Sequence, residues 1–204
     1  MLSEQTLMSE SMANVLGVNY NTIGGVPYDV NTYTGYNVGL IAELSFKLSP
    51  DDGERKIESY LGIKSGLNYS SQGVTVEDVN RTSFTNKLNY LQIPILINFT
   101  INNFNFFIGP QIGNILNIST NIMASTSNID LSTTSTSNTF TFSESDFLNK
   151  ETSFVYGFGY KVYKGLSIEI KSARGITNIS NVDGEVWKNK SFDFTLNFYL
   201  NEIL

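Results

Sequence analysis

The sequence predicts an all-β chain: a single domain over residues 1–204, built as an eight-stranded antiparallel up-and-down transmembrane β-barrel. Three observations lead there. Apolar and polar residues alternate with period two along most of the chain, the mark of strands whose two faces meet different surroundings. Charge is sparse at 16%, against roughly 25% in soluble domains, while aromatics are dense, with 14 Phe, 11 Tyr and one Trp. Long and short connections alternate between the segments, as they do in barrels that keep one rim tight and the other elaborate.

The elements follow in order. Residues 12–20 form the first expected strand, where alternation is least distinct. In 36–47, Tyr36, Val38, Leu40, Ala42, Leu44 and Phe46 oppose Asn37, Gly39, Glu43, Ser45 and Lys47. In 59–69, Leu61, Ile63, Leu67 and Tyr69 face away from Gly62, Lys64, Gly66 and Asn68. Over 88–99, Leu91, Ile93, Ile95, Ile97 and Phe99 alternate with Tyr90, Gln92, Pro94, Leu96 and Asn98. Pro94 lacks a ladder donor, so a bulge is expected there. Over 103–113, Phe104, Phe106, Ile108 and Ile112 oppose Asn105, Phe107, Gly109 and Gln111. In 152–162, Phe154, Tyr156, Phe158, Tyr160 and Val162 oppose Val155, Gly157, Gly159 and Lys161. Leu166, Ile168 and Ile170 mark 166–172, and Phe192, Phe194, Leu196, Phe198 and Leu200 mark 191–200. A helix would mix these faces, because its period is 3.6.

The implied connections are 21–35, 48–58, 70–87, 100–102, 114–151, 163–165 and 173–190. Short turns at the periplasmic rim would put both termini, and the Ser49-Pro50-Asp51-Asp52-Gly53 turn, on that side. The connection 114–151 carries a tract of Ser, Thr and Asn with little charge, expected to be a mobile loop.

The apolar faces are too uniformly large for the inside of an eight-stranded barrel, so they are expected to face lipid. The glycine-rich, polar faces then line the lumen. Glu43, Lys64, Lys161, Glu169, Lys171 and Asp193 would lie there, paired across the axis because lone buried charges are costly. That network is expected to plug the lumen rather than conduct. Tyr36, Tyr69, Phe99, Tyr156 and Phe192 are candidates for interfacial aromatic girdles, with ordinary core aromatics as the alternative.

Composition narrows the function. A net charge of −6 argues against nucleic-acid binding. The chain has neither cysteine nor histidine, which removes thiolate chemistry, imidazole acid–base chemistry and the commonest metal ligand. No catalytic, cofactor-binding or metal residues are therefore assigned, and no cofactor is expected. Gly157-Phe-Gly159 lacks the remainder of a nucleotide-binding motif, and Asp51-Asp52-Gly53 lacks calcium-loop spacing. No apolar run is long enough for a transmembrane helix, and Met1-Leu-Ser-Glu-Gln-Thr does not read as a signal peptide.

Three runs carry a family resemblance: Tyr90-Leu-Gln-Ile-Pro-Ile-Leu96, Gly62-Ile-Lys-Ser-Gly-Leu-Asn-Tyr-Ser-Ser-Gln-Gly73 and Ile168-Glu-Ile-Lys-Ser-Ala-Arg-Gly-Ile-Thr-Asn-Ile179. Together they resemble the PorT-like outer-membrane β-barrel family of Bacteroidetes. The resemblance implies a bacterial outer-membrane location, and its namesake is associated with type IX protein secretion. The leading expectation is a non-enzymatic structural or accessory component of the cell envelope. Its partners would be outer-membrane lipid and other envelope or secretion-system proteins. Two alternatives stand beside it: ligand binding or transport at the loop-lined mouth, and a soluble lipocalin-like carrier with the two faces inverted.

Overall fold

The computed structural model describes residues 2–6, 29–48, 57–77, 83–123, 148–181 and 188–199. They form one antiparallel sheet. Its strands are β1 (Leu2–Thr6), β2 (Asp29–Thr34), β3 (Asn37–Lys47), β4 (Ser59–Glu77), β5 (Ser83–Ile101), β6 (Phe104–Met123), β7 (Lys150–Tyr163), β8 (Leu166–Gly175) and β9 (Lys188–Phe198). From β3 to β9 each strand pairs with the next in sequence. β2 and β3 both pair with β4, so they act as one run interrupted at Gly35–Tyr36. β1 lies between β9 and β2, matching Leu2 to Phe192 on one side and to Thr34 on the other. The expected strand 12–20 lies outside the described residues.

Local chemistry explains the tight connections. Between β5 and β6 the chain reverses at Asn102–Asn103, where Asn102 takes φ 52°, a left-handed conformation that asparagine tolerates better than most residues. The Asn102 side chain accepts a hydrogen bond from the Glu58 amide, which ties this turn to the start of β4. Between β7 and β8 the turn is Lys164–Gly165, with Gly165 at φ 77°.

Several strands run well past their expected ends. β4, β5 and β6 have 19, 19 and 20 residues, whereas a tilted bilayer-spanning strand needs about 9–11. The connection expected over 70–87 therefore shrinks to 78–82, and the one expected over 114–151 loses residues to both flanking strands. The physical reason is visible in the sequence. Beyond the apolar band, polar runs such as Ser70-Ser71-Gln72 and Asn86-Lys87 break the period-two contrast while the backbone ladder continues. The proline expectation also needs correction. Pro94 pairs with Gln111 with no register shift, and the irregularity in β5 falls at Asn89/Tyr90 instead. Toward β4 the ladder is interrupted opposite Gly66 and Leu67, yet the same register resumes at Asn68.

The two faces of the sheet differ in kind. Large apolar side chains project outward and stay exposed along β3 to β9, including Leu40, Ile63, Ile97, Phe106, Phe158 and Phe194. The inward face buries Lys64, Gln92, Asn98, Gln111, Ser153, Glu169 and Asp193. A soluble carrier needs the opposite arrangement. Of the girdle candidates, Tyr36, Tyr156 and Phe192 are exposed, while Tyr69 and Phe99 are partly covered. Tyr36 and Tyr69 contact each other across β3 and β4, with ring centroids 6.1 Å apart.

Candidate functional site: a layered polar interior

The inward face is stacked in layers, each built by strand register. The layer nearest the short turns is charged. Lys64 on β4 reaches Glu169 on β8, with Nζ 2.5 Å from Oε1. Three strands separate β4 from β8 in the sheet, so this contact requires the sheet to curl sharply on itself. Asn105 on β6 donates to the same Glu169 oxygen at 3.2 Å, and the Lys64 ammonium lies 4.8 Å from the centroid of the Phe107 ring. Both charges are almost wholly buried, so their partners supply the solvation that water would otherwise give. Beside them Asn98 donates to Glu43 at 2.6 Å, and Glu43 sits opposite Lys64 in the β3–β4 ladder.

Above this lies an apolar layer of Leu96, Phe107, Val155 and Ala173, contributed by four neighbouring strands. Glycine makes room for it. A Cβ on Gly157 would lie 2.5 Å from the Phe107 ring and 2.4 Å from the Ile170 carbonyl oxygen. One on Gly159 would lie 2.3 Å from the Asn105 side chain and 2.7 Å from that of Glu169. Close packing leaves such positions no other residue type.

Polar pairs flank this apolar cluster, one on the turn side of Ala173 along β8 and one on the loop side of Val155 along β7. Lys171 pairs with Asp193 at 3.3 Å, and Gln111 donates to Ser153 at 3.4 Å. The loop-side layer then mixes side-chain hydrogen bonds with apolar contact. Asn189 donates to the Tyr90 hydroxyl at 2.7 Å and to Glu151 at 2.8 Å. Tyr90 packs with Leu88 and Ile179, all three completely covered, and Ile115 and Ile118 flank them. Here too the contact crosses three intervening strands, from β9 to β5.

Of the six charges singled out from sequence, four meet as two pairs, Lys64–Glu169 and Lys171–Asp193. Glu43 bonds to Asn98. Lys161 lies close to the β7–β8 turn, with Ser167 opposite it in the ladder. Sequence reading missed Glu151, Asn189 and Tyr90 as interior partners. Extending the parity of Ser153, Val155 and Gly157 by one step reaches Glu151, so a signal existed. It also missed that Phe107, an aromatic on a polar face, is answered by glycines on the neighbouring strand. Among the described residues, no three Asp, Glu, His or Cys side chains come together as a metal site.

An exposed apolar wall around a buried polar interior defines a membrane protein that meets lipid with β-strands, since soluble sheets bury the opposite face. The chain belongs to the outer membrane protein beta-barrel domain family, whose model matches residues 14–181. That membership makes it an outer-membrane protein in contact with membrane lipid. No curated protein and no solved structure matches it.

Proposed function

We propose that the sheet closes into an eight-stranded barrel and serves the bacterial envelope as a non-enzymatic structural or accessory component that does not conduct solutes. The observation that carries this reading is the filled interior: the Lys64–Glu169 contact crosses it, and Phe107 and Leu96 cap that contact with apolar bulk. A barrel of this strand number has space for its own side chains and little else. Activity then resides outside the membrane band. The long β4–β6 strands lift polar surface beyond it, where other envelope proteins can dock. The PorT-like resemblance makes a secretion or surface assembly the first such partner to test.

Fractionation of native cells, with gel migration of unboiled and boiled membrane samples, tests the location and closure. The expected result is outer-membrane recovery with a heat-dependent shift. Planar-bilayer recording of the purified protein tests the plug, and the expected trace is silent. Steady channel openings would move the reading to transport, and recovery as a detergent-independent soluble monomer would end it.

A further inference from the structure

Along β8 and β9 the outer wall turns from apolar to cationic within one step. The outward residues of β8 run Ile168, Ile170, Ser172, Arg174; those of β9, in matching register, run Leu196, Phe194, Phe192, Lys190. Arg174 stands directly opposite Lys190, and Lys188 takes the next outward position on β9. All three side chains are exposed. Like charges directly opposite each other destabilise a sheet, so this pair calls for a compensating anion. On the other side of β9 the register sets Glu4 of β1 opposite Lys190. One carboxylate against three cations leaves the patch positive among the described residues.

Tyr156 supplies a floor to this patch. It is exposed on β7 with Ser172 as its ladder partner, and its hydroxyl hydrogen-bonds with the Ser172 and Arg174 side chains. That contact holds the guanidinium against the wall, with Phe154 opposite it in the ladder and Phe192 one outward step below Lys190. The height fits a membrane surface. Arg174 lies eight residues beyond Leu166, where β8 leaves its short turn. At about 3.3 Å per residue and a tilt of about 40°, that is roughly 20 Å of height, near the top of an apolar band about 25 Å tall.

We propose that Arg174, Lys188 and Lys190 bind the phosphate of a membrane lipid headgroup in the loop-side leaflet, with Tyr156 positioning the guanidinium. The inference rests on the barrel reading above. A guanidinium offers a phosphate two parallel N–H donors. Lys190 reaches the same anion from a Cβ about 5 Å across the ladder, and Lys188, roughly 7 Å further along β9, meets the rest of the headgroup. The occupant is a lipid because the site opens directly onto Phe154 and Phe192, which give its acyl chains an apolar wall to lie along.

The test uses full-length protein in dodecyl maltoside micelles, titrated with bisphosphorylated lipid A and with the same lipid stripped of phosphate, bound lipid being counted by native mass spectrometry. The phosphorylated form is expected to bind about tenfold tighter, and Arg174→Gln should lose most of that preference. Arg174→Lys should restore only part of it, because an ammonium lacks the two-pronged contact. Lys164→Gln, in the opposite turn, should change nothing. Equal affinity of the parent protein for the two lipids would overturn the proposal, as would an equal loss from Lys164→Gln and Arg174→Gln. Displacement of the lipid by millimolar inorganic phosphate would also overturn it, since the anion would then come from solution. A heat-dependent gel shift retained without any phosphate preference ends this inference alone, whereas absence of that shift from the parent protein removes the barrel reading.

Discussion

The two ends of the interior solve the same packing problem with different chemistry. At the turn side a buried lysine and glutamate span the sheet, helped by Asn105 and the Phe107 ring. At the loop side Tyr90, Asn189, Leu88 and Ile179 span it through amide-donated hydrogen bonds and apolar contact, with Glu151 an acceptor in the bonded group and no ion pair among the described residues there. The first arrangement depends on both charges being present, since either alone is stranded in a low-dielectric interior. The second degrades gradually, because each contact is lost separately. One end is therefore brittle to single substitutions and the other forgiving.

Four substitutions test that contrast, each read as the unfolding free energy in urea of protein folded in micelles. Lys64→Met strands Glu169 and should cost the most, about 4 kcal/mol, within the range for breaking a buried pair. The double variant Lys64→Met/Glu169→Leu sharpens the point. It should recover most of that loss, because two apolar groups need no partner; a double variant as weak as the single one would mean that packing, not charge, dominates. Leu88→Ala at the other end should cost about 3 kcal/mol from lost burial and the cavity left behind. Tyr90→Phe should cost least, about 1 kcal/mol, since it removes one acceptor from an Asn189 amide that keeps Glu151. A Tyr90→Phe loss equal to that of Lys64→Met would erase the distinction between the two ends.

The outer wall offers a further check of the same idea at larger scale. Arginine at Phe194, on the lipid side of β9, should destabilise by about 2–4 kcal/mol if that position lies at mid-bilayer. Arginine at Tyr163, beside the short β7–β8 turn, should cost at most about 1 kcal/mol, because charge near the interface is tolerated. Equal effects at the two positions would place the membrane band elsewhere on the sheet.

Much of this architecture was legible residue by residue. Alternation in Phe192–Phe198 and Phe154–Val162 fixed strand type and both faces, because a side chain's direction on a strand follows from parity alone. The low charge and abundant aromatics set which face meets lipid. The interior charges could be named for the same reason, since Lys64, Glu169, Lys171 and Asp193 share the inward parity. What parity does not contain is register or curvature. Which lysine meets which glutamate depends on how far each strand is staggered and how tightly the sheet curls, and those come from many weak contacts acting together. Strand length beyond the apolar band was equally hidden, because polar runs such as Ser70-Ser71-Gln72 give no period-two contrast to reveal the ladder. Residue pattern alone carried the strand segments, their two faces and their surroundings; the meeting of Lys64 and Asn189 with their partners belongs to the folded sheet, because only its curl brings residues from opposite walls within hydrogen-bond reach.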